Sequence, residues 1–171
     1  GALGMPLIPN AAVFQSRFDA LPLASYAAGK TILSEGARTE QLLILKKGGV
    51  AIVKGGTEIA RVSEPGAVFG ELAALLDQPH TADVRTLETS EFHVADAAAL
   101  LAQDPIALLY VATLLARRLD IANRALVGLK SQLHAGRSAI EIGKAVGRIE
   151  QLLSASGASL VYAGYPTDPF A

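Results

Sequence analysis

Short β-favouring runs separated by turn residues occupy residues 31–34, 42–46, 50–54, 58–62, 81–87 and 91–94, and beyond them the apolar period changes to that of helices. Many short strands at regular spacing imply a sandwich or barrel. The runs 50–54 and 58–62 flank Gly55-Gly56, a pair suited to the positive φ angles of a two-residue hairpin turn. Ahead of the strands, Asn10 can cap a short helix reaching Phe18.

Helical spacing begins at Ala97 and runs to Gln103, then restarts behind Asp104-Pro105, a cap followed by proline at the first helical position. This second helix is expected to reach about His134. Leu108, Ala112, Leu115, Leu119, Ala122, Leu126, Leu129 and Leu133 follow one another along it at alternating steps of four and three, the seam by which two helices pair. The first two turns of the stripe are expected to cover the chain's own β unit, and residues 115–133 to join two copies as a homodimer. Gly136 ends the helix, and Ser138 with Glu141 supplies a capping box for another. There Ile142, Val146, Ile149 and Leu153 line one face, and Gly143 and Gly147 leave a notch where another helix could approach. In the tail only residues 159–162 read as a possible strand.

Composition removes several function classes. The chain has 171 residues with 51% apolar content, enough for one good core. Fifteen Lys plus Arg against 16 Asp plus Glu, with no long basic run, give no electrostatic surface for nucleic acid. The absence of cysteine excludes disulfides, thiol catalysis and thiolate metal sites, and fits a reducing compartment. The longest apolar run, residues 106–116, is too short to span a bilayer, so a cytoplasmic location is expected. Residues 1–4 ahead of Met5 read as a remnant, with no signal-peptide pattern. His80, His93 and His134 share no metal-ligand spacing, and neither a Gly-x-Ser-x-Gly elbow nor a Gly-Lys-Ser/Thr phosphate loop occurs. The chain is read as a non-enzyme without a cofactor.

The segment from Phe69 to Val84, Phe-Gly-Glu-Leu-Ala-Ala-Leu-Leu-Asp-Gln-Pro-His-Thr-Ala-Asp-Val, carries the chemistry. Pro65-Gly66 marks a turn, Gly70 frees the backbone, and residues 71–76 read as a short helix opening at the glycine. Unpaired N–H groups and the positive end of the dipole at such a start attract an anion, which Gly70 lets approach closely. Glu71 cannot favour a phosphate by charge; it can accept a hydrogen bond from a sugar hydroxyl beside it.

Phe69-Gly70-Glu71-Leu72 with Leu75, Pro79, Thr81 and Ala82 resembles the phosphate-binding cassette of the cyclic nucleotide-binding domain family. The likeness extends from about Tyr26 to Asn123 and takes in Gly29-Lys30, Glu35-Gly36 and Gly48. It implies an α+β fold: an antiparallel, jelly-roll-like β-roll with flanking helices and a long C-terminal helix. It also implies a division into residues 1–104 (N-terminal helix and β-roll), 105–135 (dimerisation and lid helix) and 136–171 (helical segment and tail). The ligand it implies is cyclic AMP or a related cyclic nucleotide, held by Phe69, Gly70, Glu71, Leu72 and Ala73 together with His80, Thr81 and Ala82. In the family the glutamate binds the ribose 2′-hydroxyl and an arginine pairs with the cyclic phosphate; His80 stands at that arginine position. It could donate an N–H to the phosphate and, as imidazolium, pair with its charge, or be a surface-loop histidine. Thr81 could offer its hydroxyl and N–H, or merely begin a strand. On the long helix Arg118 falls where an arginine supports the base and the glutamate, and Ala122 and Asn123 fall where hydroxyl residues read the purine. Arg117 reads as solvated helix surface.

The function expected is a regulatory sensor passing ligand occupancy through its C-terminal helices to an unknown protein partner in signal transduction. The alternatives are a ligand-free dimeric interaction module of the same fold, or a catabolite activator-like transcription regulator. For the latter, residues 141–147 resemble the first helix and turn of a helix-turn-helix, but the next helix, 150–156, has almost no basic or amide side chains. Nucleic acid is not expected as a partner.

Overall fold

The computed structural model describes residues 11–154. Helix α1 (Ala11–Asp19) leads into β1 (Leu23–Tyr26), β2 (Thr31–Leu33), β3 (Gln41–Lys47), β4 (Val50–Lys54), β5 (Thr57–Val62) and β6 (Val68–Phe69). Then come α2 (Glu71–Leu76), β7 (Asp83–Thr86), β8 (Ser90–Asp96), α3 (Ala97–Gln103), α4 (Pro105–His134) and α5 (Ala139–Ser154). Two antiparallel four-stranded sheets, ordered β1-β8-β3-β6 and β2-β7-β4-β5, form a β-roll. Asn10 and residues 159–162 lie outside the described residues.

Alternation along β3 builds the core. Leu43 and Leu45 point between the two sheets, where they meet Val50, Ile52 and Phe92, while Leu42 and Ile44 point the other way, toward the helices. A strand with layers on both faces needs apolar residues at successive positions, and 42–45 supply them, all buried. Fully burying such a side chain contributes about 1.5–3 kcal/mol. On the helix side Tyr110 takes Phe14 and Phe18 edge-to-face, with ring centroids at 4.8 and 5.0 Å. Its hydroxyl donates to the Gly66 carbonyl at 2.8 Å, which gives the polar tip of the buried ring a partner.

Local signals set the ends of the elements. Asp104 caps α4 by accepting from the N–H groups of Ile106 and Ala107, at 3.0 and 3.3 Å. Ser138 and Glu141 exchange backbone-to-side-chain bonds of 3.1 and 3.2 Å, the reciprocal capping box expected before α5. Gly55 and Gly56 take φ of 58° and 77° in the β4–β5 turn, as a two-residue hairpin requires.

Several expectations are corrected. β1 and β6 were not foreseen. Leu108 is 40% exposed and Ala112 is exposed, so the first two turns of the leucine stripe do not cover the roll. Ala107, Tyr110, Val111 and Leu114 do so instead, because the aromatic cluster sets the rotation of α4. Helix α5 continues through Gly147 without a turn, so the helix-turn-helix break suggested at that glycine is absent. At Gly143 and Gly147 nothing among the described residues approaches within 4 Å of where a side chain would begin, so the notch expected there is open within one chain. No single helix among them is long and apolar enough to cross a membrane.

Candidate functional site

Gly70 joins β6 to α2 at φ 95°, ψ −2°. A side chain there would run into the Gln41 carbonyl oxygen on β3, so only glycine lets the helix start against the sheet. The turn presents Glu71, the first residue of α2, to the inside of the protein, where it is 5% exposed. From α4, Arg118 reaches down and donates from Nη1 to Glu71 Oε1 at 2.7 Å. Both side chains are largely shielded, at 15% and 7% exposure, which makes this a charge-assisted bond in a low-dielectric setting. Arg118 Nε is also buried and makes no hydrogen bond.

Opposite α2, the segment after Pro79 is pinned to the β2–β3 connection by His80 N–H to the Ala37 carbonyl (2.9 Å) and Gly36 N–H to the His80 carbonyl (2.8 Å). The His80 ring is thereby drawn inside, 5% exposed, and its Nε2 shares a 2.5 Å hydrogen bond with Thr39 Oγ1. Burial pushes the imidazole below its ordinary value of 6.5, and the Glu71 carboxylate partly offsets this by favouring the charged form. His80 is therefore mainly neutral at pH 7, and the exposed-loop alternative does not hold.

These groups meet in one cavity of about 190 Å³. Its walls include Phe69, Gly70, Glu71, Leu72, Ala73, His80, Thr81, Ala82 and Arg118, drawn from β6, α2, the segment before β7, and α4. Ala122 is half-buried and Asn123 exposed on α4, and neither lines it. The segment-based reading missed Lys54 and Ile59 of the β4–β5 hairpin and Leu153 and Ser154 at the end of α5. No local signal pointed to them, because only long-range packing brings them here. The lining offers backbone amides, a hydroxyl and a carboxylate braced by a guanidinium, a set suited to a small anionic ligand carrying hydroxyl groups. Among the described residues no cluster of three or more His, Asp or Glu could hold a metal ion.

Residues 23–103 match the family model described as Cyclic nucleotide-binding domain. No curated protein matches the chain. Among solved structures, the catabolite activator protein of Thermus thermophilus aligns with a TM-score of 0.56 at 24% identity, over 74% of this chain and 69% of that one. A Trypanosoma cruzi structure described as the regulatory subunit of a cAMP-independent protein kinase A bound to guanosine aligns with a TM-score of 0.52 at 19% identity, over 83% and 47%. A structure of cAMP-bound PfPKA-R aligns with a TM-score of 0.49 at 24% identity, over 72% of this chain but only 40% of that one. For the first two of these, at 24% and 19% identity, the likeness is one of fold.

Proposed function

We propose, for a chain whose residues 23–103 belong to the cyclic nucleotide-binding domain family, that it is a regulatory sensor binding a cyclic nucleotide, with cyclic AMP the first candidate. The observation that carries this reading is the convergence of residues 69–73, residues 80–82 and Arg118 on one cavity. In the proposed complex Glu71 accepts from the ribose 2′-hydroxyl while Arg118 holds its carboxylate in place. The amides opening α2, with Thr81 and the His80 ring, face the cyclic phosphate. The buried Arg118 Nε, a donor without an acceptor at a cost of about 1–3 kcal/mol, is a group that a ligand acceptor could satisfy. Because Arg118 belongs to α4 and Glu71 to the roll, occupancy of the cavity bears directly on how the long helix is held. That is the route by which a signal would pass to the C-terminal helices and a protein partner.

The homodimer is part of the same proposal. Leu119, Leu126 and Leu133 are 63%, 66% and 64% exposed and stand seven residues apart, whereas Leu115 packs against the chain's own core and Ala122 and Leu129 are half-buried, so the outward part of the seam is the row Leu119, Leu126 and Leu133. A second copy of α4 laid along it would cover those leucines.

The ligand-free interaction module is favoured by the two bonds that already give Glu71 and His80 a partner within the chain, Arg118 to Glu71 and Thr39 to His80. A thermal-shift series with cyclic AMP and cyclic GMP separates the two readings. A binder gains stability with the logarithm of nucleotide concentration above its dissociation constant, and an interaction module shows no shift at millimolar nucleotide.

A further inference from the structure

Strand β5 is the outer strand of its sheet, so on its free side the backbone groups of Arg61 would face water. The Gln151 side chain takes both: its amide nitrogen donates to the Arg61 carbonyl at 2.7 Å and its amide oxygen accepts from the Arg61 N–H at 2.9 Å. One side-chain amide thus imitates a neighbouring strand and fixes the last turn of α5 against the roll. Two and three residues further on, Leu153 and Ser154 form part of the wall of the cavity that holds Glu71, His80 and Arg118. With them in place the cavity measures about 190 Å³, below the roughly 300–1,000 Å³ of sites that enclose small organic ligands.

We propose that the last turn of α5 is a plug held by the Gln151–Arg61 clasp, and that a cyclic nucleotide occupies the cavity in full only when this clasp opens. The proposal rests on the nucleotide-binding reading and adds its regulation. The rest of α5 need not move, since Ile149 and Ala145 anchor it by burial about one and two turns before Leu153, whereas Leu152 and Leu153 in the last turn are only partly buried against the core. Gln151 is exposed, so water competes for both of its bonds and the clasp is weak enough for a ligand to open. While it is closed, the binding-competent fraction is reduced, and the apparent dissociation constant rises in the same proportion. Anything that pulls α5 away from β5 would prime the sensor, and nucleotide binding would in turn release the end of α5.

The test compares the chain with Gln151→Met, which keeps side-chain length and removes the amide, by calorimetry with cyclic AMP and cyclic GMP. Exchange of the Arg61 amide hydrogen is followed with and without nucleotide. The plug predicts that Gln151→Met binds about three- to tenfold more tightly, the worth of roughly one net hydrogen bond, and that nucleotide accelerates Arg61 exchange in the unmodified chain. Equal or weaker binding by Gln151→Met, or Arg61 exchange slowed by nucleotide, overturns it and makes the end of α5 part of the bound site, with the binding reading intact. If neither chain binds either nucleotide, the binding reading falls and takes the plug with it.

Discussion

Arg118 donates to Glu71 at 2.7 Å, joining a side chain of the long helix to the first residue of the short helix at the cavity. The bond crosses 47 residues of sequence and is largely shielded from water, so its consequences extend to both folding and ligand binding.

Removing one partner would leave the other buried and unpaired, which costs more than the pair itself contributes. Arg118→Met should destabilise the protein by about 2–4 kcal/mol, and Glu71→Gln by less. The double variant should be less damaged than the sum, with a coupling of about 1–3 kcal/mol in a double-mutant cycle measured by urea unfolding. A coupling near zero would mean that water reaches the pair.

Glu71→Gln should also weaken cyclic AMP binding about ten- to hundredfold, since a hydrogen bond from a sugar hydroxyl to a charged carboxylate is worth roughly 1.5–3 kcal/mol. Circular dichroism should show the fold retained. Calorimetric affinity equal to that of the unmodified chain would take Glu71 out of the ligand site.

Gly70→Ala tests the backbone that presents Glu71. With φ of 95° and the Gln41 carbonyl in the way of a side chain, alanine meets both torsional strain and a collision with backbone. Torsional strain alone costs about 1–2 kcal/mol, so a loss of at least ~2 kcal/mol is expected in thermal unfolding. An unaltered melting temperature would show that the turn can relax without this geometry.

What was legible in the sequence was what neighbours along the chain decide. The start of α2 at Gly70, the Gly55-Gly56 hairpin, the Asp104 cap of α4 and the Ser138–Glu141 box are each set within a few residues. The short strands β1 and β6 escaped because their partners are remote: β1 pairs with β8, and Val68 and Phe69 of β6 pair with Ile44 and Leu43. The rotation of α4 escaped for a related reason. Leucines repeat on one face, but the inward face is chosen by Tyr110 against Phe14 and Phe18, contacts that helical periodicity does not report. At the site, residues 69–82 were legible as one segment, whereas the Thr39 bond to His80 and the clasp of Gln151 on Arg61 join distant parts of the chain.

The outward seam of α4 makes oligomeric state a direct measurement. Leu126→Glu with Leu133→Glu would set charges against the partner helix in a dimer, yet Leu126 and Leu133 are 66% and 64% exposed within one chain, so the fold should persist. Light scattering should give a dimer for the unmodified protein and a monomer for the double variant. A monomeric unmodified protein would leave the seam without a second copy.

His80 should make both stability and binding depend on pH, with signs that follow from its lowered proton affinity. Burial holds the imidazole below 6.5 in the folded state, so between the folded and unfolded values the unfolded chain carries more protons. Its contribution to stability is therefore present above about pH 6.5 and is lost as pH falls through the folded value. His80→Gln, whose amide can still bond Thr39, should flatten this acid-side loss in melting temperature between pH 7.5 and 5.5. Binding runs the other way. A cyclic phosphate beside the ring favours imidazolium, raising the value in the complex, so affinity should increase as pH falls through that window and level off below the value of the free protein. Because the free value is depressed, most of the gain should come on the acid side of neutrality. His80→Arg, charged throughout, should bind about three- to tenfold more tightly at pH 8 and show little pH dependence. Calorimetry from pH 8 to 5.5 on the unmodified chain and His80→Arg decides the point: parallel profiles for the two would mean that the ring, though it lines the cavity, bonds only Thr39 and never meets the phosphate.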